Sequence, residues 1–407
     1  MFPALARNKP VAVQPWEGVR KPMKIAIDLT ALLSAATGAE TFMRNLVLRL
    51  GAIDRENLYR IYLNFEDCKK FVGLLPSNFT LVPRCCRMRL VRLVFQQIWF
   101  PLAVGRWKAD VVHSPSFLVP FYRGKQRHLV TVHDMTFFSL PAFHNRLHRS
   151  WLFRRMVHMS ILGADRVQVP SATTKRDVLR QVPQLSGESV RVIPHGCSNE
   201  FRPRPKTDVS KAIDRLGLPR AYILYVGTIE PRKNLSRLID SYRKLVQMGR
   251  SEHLVLAGRL GWGYRRFLKK IERFGLADKI HLLGYVPQTD LPWVYAGARL
   301  FVFPSLYEGF GLPPLEAMGC GIPTIAARSA SLAEYYHEAA LLFTPSDVNA
   351  LAVAMNRMLS DKSLRAAYRN RGIELAYKLS WTRTARKMLE CYQALMQANP
   401  EQRNANR

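Results

Sequence analysis

The sequence is poor in the features that would make it a membrane-spanning or disulfide-stapled chain. No apolar run reaches the length of about 18 residues that a spanning helix needs. The nearest, Leu90 to Val104, is broken by Arg92, Gln96, Gln97 and Pro101. No long apolar stretch follows the first charges, so no secretory signal is expected. Cysteine is scarce: Cys68, Cys85, Cys86, Cys197, Cys320 and Cys391 show neither a C-x-x-C pair nor metal-ligand spacing. They read as reduced residues of a cytoplasmic protein, with the Cys85–Cys86 pair as plain packing. Acidic residues are few, 30 against 61 basic ones, for a net charge of +31. The first 205 residues contribute +18 of this and the remainder +13. A field of that sign favours polyanions: nucleic acid, an anionic membrane or phosphorylated substrates. With 48% apolar and 22% charged residues over 407 positions, the chain has the balance of a folded protein with more than one core.

Residues 1–22 hold four prolines and no periodicity, and read as a flexible extension. Thereafter short β-branched runs alternate with amphipathic segments. Strands are expected at Lys24–Asp28, Ala109–His113, His128–Val132, Arg166–Pro170 and Val190–Ile193, with a helix over Glu40–Leu50. The Pro-rich, charged Phe201–Pro205 marks a boundary. A second series follows, with strands at Tyr222–Val226, His253–Ala257, Lys279–Leu283 and Ala298–Phe303, and helices at Leu235–Leu245 and Tyr264–Phe274. Such alternation means parallel sheets. The fold class is α/β, with two doubly wound Rossmann-like domains (23–203 and 204–378) facing across a cleft. A helix over Trp381–Met396 within 379–407 is expected to return to the N-terminal domain before a frayed tail.

The densest chemistry lies in PSLYEGFGLPPLEAMG, residues 304–319. A strand runs into a Gly-containing loop, and Pro313 or Pro314 suits a first helical turn. The helix N-terminus then offers backbone N–H groups to an anion. Glu308 lies in the loop and Glu316 early in the helix. Two acids flanking a phosphate-sized site fit a ligand with hydroxyls at both ends, such as a nucleotide sugar.

The E-x7-E spacing in this context resembles glycosyltransferase family 4, whose members are retaining enzymes of the GT-B fold. Supporting segments follow in family order: the Gly38 loop, His133-Asp134, Val192–Gly196, Val226–Asn234, Leu256–Gly258 and Gly284–Pro287. The resemblance implies that Glu308 contacts the donor sugar and Glu316 the ribose hydroxyls. Gly309, Phe310, Gly311 and Leu312 would meet sugar and diphosphate through their backbone. Val286 would sit near the base, and Lys233 would neutralise the leaving diphosphate. His133 would lie near the sugar, where a neutral imidazole can donate to a hydroxyl. Gly38 and Ala39 would approach donor phosphate or acceptor. Many relatives carry Arg where this chain has Thr228, and Arg232 is expected to supply part of that charge. No Asp-x-Asp occurs, so the metal-dependent GT-A mechanism lacks its ligand, and neither a catalytic metal nor another cofactor is expected. Gly258–Gly263 matches the dinucleotide fingerprint only loosely and is set aside.

The EPRKN and His-Asp contexts resemble bacterial mannosyl- and rhamnosyltransferases of surface polysaccharide synthesis. They point to transfer of mannose from GDP-mannose, with retention, to a glycan or lipid-pyrophosphate-linked acceptor. Basic residues beside aromatic ones, Arg84–Arg92 before Phe95 and Trp99, and Arg146, Arg149, Arg154 and Arg155 around Trp151, suit a peripheral site on the inner face of the plasma membrane or simply solvated helix faces. The alternatives are a UDP-sugar-dependent transferase, a GT-B epimerase, an inactive relative acting as a subunit, and a basic nucleic-acid-binding protein. The last explains the charge but leaves the paired acids unexplained, and no recognised nucleic-acid module is visible; no nucleic-acid partner is expected.

Overall fold

Short apolar runs pair into two wholly parallel sheets in the computed structural model, which describes residues 21–32, 38–139 and 150–397. The first sheet comprises β1 (Lys24–Asp28), β2 (Leu58–Asn64), β3 (Phe79–Arg84), β4 (Val111–Ser114), β5 (Arg127–Thr131), β6 (Arg166–Val169) and β7 (Val190–Val192), ordered β3-β2-β1-β4-β5-β6-β7. The second comprises β8 (Tyr222–Val226), β9 (His253–Ala257), β10 (Ile280–Gly284), β11 (Leu300–Phe303), β12 (Thr324–Ala327) and β13 (Ala340–Phe343), ordered β10-β9-β8-β11-β12-β13. Helices cover both faces of a parallel sheet, so its strands bury nearly every side chain. β11 (LFVF) and β4 (VVHS) are buried along their whole length.

Two doubly wound units are therefore present. In each, the strand order reverses once: Ile25 of β1 pairs with both Tyr59 and Val111, and β8 lies between β9 and β11. Ligands of such sheets bind beyond the strands' C-terminal ends at these switch points. Residues 201–205 connect the units. Phe201 is buried edge-on to Tyr295, 5.6 Å between ring centres, and helix Lys206–Arg215 begins directly after Pro205.

The chain then crosses back. After helix Lys362–Lys378, Cys197 N donates to Leu379 O at 2.7 Å, and helix Trp381–Gln397 lies against helix Gly38–Ile53 and β4. Thr384 donates to Pro194 O at 2.8 Å, and Tyr392 meets His113 Nδ1 at 2.8 Å. Gly196 allows the crossing, because a Cβ there would lie 2.1 Å from Trp381 N. All six cysteines are free; Cys86 is buried, but Cys85 is exposed, contrary to the expectation that both serve as packing, because it points away from the core that Cys86 enters. No helix among the described residues is long and apolar enough to cross a membrane. The expectations for residues 1–20, the tail 398–407, Arg146 and Arg149 fall outside the described residues.

Trp381 is 2% exposed and stacks on His195 where both units meet. Trp381→Ala is expected to cost about 3–5 kcal/mol, the usual range for emptying a buried aromatic site. Calorimetry should show this as a lower unfolding midpoint.

Candidate active site

The loops after β8 and β11 face the loops after β1 and β5 across a cleft of about 450 Å³. β8 ends at Val226. Gly227 follows with φ of +148°, and Gly258 approaches so closely that a Cβ on it would sit 2.0 Å from Gly227 O. Pro231–Lys233 form one 3-10 turn. Asn234, in the left-handed region at φ +60°, starts helix Leu235–Gln247 and donates its side-chain amide to Pro304 O at 3.1 Å and Pro345 O at 2.9 Å. Leu306 N donates to Arg232 O at 3.0 Å. The β8 loop is thereby fixed against the β11 loop before any side chain is considered.

Glu308 is the hub. Lys233 Nζ donates to its Oε1 at 2.5 Å, as does Ser305 Oγ at 2.5 Å, and Arg232 reaches Oε2 at 3.3 Å. Arg232 also donates to Tyr307 O at 2.8 Å and to Glu230 at 3.0 Å. The side chains of Glu308, Lys233 and Arg232 are only 12–14% exposed. Burial raises the Glu308 pKa, but Lys233 and Arg232 outweigh it and bring it down to about 2. Burial and the neighbouring Arg232 push Lys233 down. Burial also disfavours the Arg232 cation, but Glu308, Asp134 and Glu230 more than compensate.

Glu316 stands on helix Leu312–Gly319, which opens at Gly311 (φ +89°) with its prolines in the first turn. Tyr295 donates to Glu316 Oε2 at 2.9 Å, and burial lifts the Glu316 carboxyl to about 7. Of the expected positions, Gly38, Ala39, His133, Thr228, Arg232, Lys233, Glu308, Gly309, Phe310, Gly311, Leu312 and Glu316 all line the cleft. Val286 does not: it packs half-buried against the C-terminal core, and Gln288 and Leu291 form that wall instead. His133 also departs from expectation. Its Nε2 lies 3.0 Å from the Pro115 carbonyl, which can only accept, so that nitrogen carries the hydrogen. Buried Nδ1 has no partner and burial lowers the pKa, leaving a neutral ring whose remaining nitrogen is an acceptor, not a donor.

His195, to which sequence assigns no chemistry although it lies in a family-like segment, lines the cleft between Phe42, Phe310 and Trp381, with Nδ1 buried and unpartnered. Glu230 and Asp134 also face the cleft. Asp134 accepts from Thr136 N at 2.9 Å. Among the described residues, no three His, Cys, Asp or Glu side chains converge as a metal-ligand set.

The two units touch around this site. A Cβ on Gly309 would meet His133 O at 1.7 Å. Glu334 of the C-terminal unit accepts from Ala172 N at 2.8 Å and Thr173 N at 2.9 Å, closing the N-terminus of helix Ala172–Gln181 in the other unit. Tyr335 donates to Pro170 O at 2.8 Å, and the Tyr307 hydroxyl bonds Asp177.

Residues 36–201 match the family described as Glycosyltransferase Family 4, and residues 208–375 match Glycosyl transferases group 1. O-antigen chain mannosyltransferase B of Escherichia coli is 32% identical over 302 residues, 74% of this chain and 77% of that protein. The chain belongs to glycosyltransferase family 4. Serotype-specific mannosyltransferase WbdA of Escherichia coli is 35% identical over 86% of this family 4 chain, which spans 44% of WbdA's length. Among solved structures, sucrose-phosphate synthase of Thermosynechococcus elongatus superposes with a TM-score of 0.76 at 22% identity, over 93% of this chain and all of that one. Anabaena HepE in complex with UDP and glucose gives 0.72 at 18% identity, over 91% and 100%. The shared architecture is GT-B, and the family 4 chain is a glycosyltransferase.

The two acids predict opposite responses to pH. Glu308 titrates below its ordinary 4.5, so its contribution is present above that value and lost as pH falls toward 2. Glu308→Gln should destabilise the fold at pH 7, with the difference vanishing near pH 2. Glu316 titrates above 4.5, so its burial cost is absent in acid and grows as pH rises through 7. Glu316→Gln should stabilise the ligand-free protein at pH 8, by at most about 3 kcal/mol, and change nothing at pH 4. Thermal melts across pH read both.

Proposed function

We infer that this enzyme transfers mannose from GDP-mannose, with retention of configuration, to a glycan or lipid-pyrophosphate-linked acceptor in surface polysaccharide synthesis. The observation that carries the reading is the Glu308–Lys233–Arg232 cluster beside the Gly311 helix start, inside the cleft between two nucleotide-binding-type sheets. The names of the relatives, mannosyltransferases of O-antigen and lipopolysaccharide core synthesis, support the sugar.

Cleavage of the sugar–phosphate bond places growing negative charge on the leaving diphosphate. Lys233, Arg232 and the N–H groups ahead of helix Leu312–Gly319 are preorganised to receive it. Lys233 Nζ spends one of its three donors on Glu308 and keeps two for phosphate oxygens. On a front-face course, the C1–O bond to diphosphate breaks and the bond to the acceptor oxygen forms on the same face. The acceptor's proton passes to a leaving phosphate oxygen. Glu308, held ionised, stabilises positive charge at the sugar rather than attacking it. His133, held through Nε2 on Pro115 O, would line the sugar end of the cleft, and Glu316 would accept from the ribose. The reading requires no metal, since these groups carry the charge.

The N-terminal unit carries a surface suited to an anionic bilayer. Helix Arg89–Val94 buries none of its residues; Leu90, Ile98 and Trp99 are 54–74% exposed, and Arg84, Arg87 and Arg89 lie among them. Trp151 and Leu152 project similarly, with Arg155 5.5 Å from the Trp151 ring. Aromatic and basic side chains together are the interfacial pattern, and an acceptor anchored by lipid pyrophosphate would be met there.

Lys233→Ala should lower turnover about 100-fold or more without loss of folding, as removal of one such charge-stabilising donor does; near-normal turnover would exclude this role. Thermal stabilisation by GDP over UDP and ADP is expected by mass action. Preference for UDP would keep the transferase and discard mannose, and no shift by any nucleotide would count against donor binding. Sedimentation with phosphatidylglycerol vesicles at low salt should carry down the wild type but much less of Trp99→Ala/Trp151→Ala; no wild-type binding would remove the membrane site.

A further inference from the structure

The active-site cluster nearly balances its own charge and does not use the chain's +31. A second cavity, about 660 Å³, is lined by the C-terminal unit together with Pro203 and Arg204 of the connecting segment. Its walls include Arg220, Arg299 and the segment Cys320–Pro323, which immediately precede β8, β11 and β12. The active-site loops leave the opposite, C-terminal ends of the same parallel strands. The sheet therefore separates this cavity from Glu308.

Six cationic side chains line it: Arg204, Lys206, Arg220, Arg299, Arg365 and Arg369. No acidic residue does. Asp214 pairs with Arg220 at 2.6 Å and Glu252 with Arg299 at 3.2 Å, both from outside the lining. Among the described residues no carboxylate forms an ion pair with Arg204, Lys206, Arg365 or Arg369. Two of these are held in place by other means. Arg204 lies 4.1 Å from the Trp293 ring centre and donates to Glu200 O at 3.0 Å. Arg365 donates to Met358 O at 2.9 Å and Leu359 O at 2.5 Å. Arg369 lies over Gly321, where even a Cβ would come within 3.4 Å of the guanidinium. The floor is apolar and buried, with Ile213, Cys320 and Ile322. Cations converging over a low-dielectric floor focus positive potential, and guanidinium groups match phosphate oxygens two at a time.

We propose that this cavity is a second anion site, distinct from the transfer cleft, which takes a ligand bearing clustered phosphate groups. The phosphates could belong to a soluble molecule or to lipid headgroups, and the test separates these sources. Sodium pyrophosphate is titrated calorimetrically into the full chain at low salt, and phosphatidylglycerol vesicles are sedimented with it. Lys206→Glu/Arg369→Glu reverses two charges that hold no ion pair, away from the residues assigned to transfer. A pyrophosphate-binding event at least about tenfold weaker in this variant, with the nucleotide-induced thermal shift unchanged, supports a soluble phosphorylated ligand. Loss of vesicle binding with pyrophosphate binding intact supports the headgroup source. Pyrophosphate and vesicle binding both equal to wild type would overturn the proposal. Should the charge reversal impair folding, Lys206→Gln/Arg369→Gln removes the same charges without adding acids and is read identically.

Discussion

An isolated carboxylate with so little exposure as Glu308 would cost several kcal/mol to keep ionised. It stays ionised because two cations reach it from the loop of a neighbouring strand. That arrangement requires β8 and β11 to be adjacent, which the strand order guarantees, and requires the two loops to be locked together. Asn234 does the locking through the Pro304 carbonyl, with a second bond to Pro345 beyond β13, and the Arg232 backbone does so through Leu306 N. Removing any of these would leave charge buried without its counterpart. The cluster thus makes local loop geometry, domain stability and the electrostatics of the cleft one problem with one solution.

The second constraint is how close the units stand. Gly309 lies against the His133 carbonyl with no room for a side chain, so both faces of the cleft meet at its inner end. Helix Trp381–Gln397 ties the units together from behind, burying Trp381 against His195. The cleft is therefore bounded on two sides, and the chain passes between the units at 201–205 and returns at 379–381. Both crossings depend on tight packing: Gly196 against Trp381, and Phe201 against Tyr295.

The fold was largely legible in sequence because parallel strands are buried on both faces and read as short apolar runs. Ala298–Phe303 was read two residues too long since Ala298 and Arg299 continue the pattern, although Arg299 already turns outward. β2 (LYRIYLN), β3 (FTLVPR), β12 (TIAA) and β13 (ALLF) are not evident in sequence: polar residues interrupt β2, a proline interrupts β3, and the Ala and Leu of β12 and β13 suit a helix as well as a strand. Glu308, Glu316 and Lys233 were legible as a motif, and the structure brings them to one cleft. The position of Val286 and the hydrogen on His133 were not. Which residue of a loop faces inward depends on the turn after β10, and a histidine's tautomer depends on a carbonyl eighteen positions away in sequence. His195 was passed over for the same reason: its environment is assembled from four distant segments.

Glu334 has a consequence for ligand selection. The first backbone amides of helix Ala172–Gln181 form an anion receptor of the same kind as those ahead of Leu312, at the mouth of the same pair of sheets. By seating its own carboxylate there, Glu334 satisfies these amides with a charge from the other unit, so this helix start is closed to outside anions by the same contact that joins the two units.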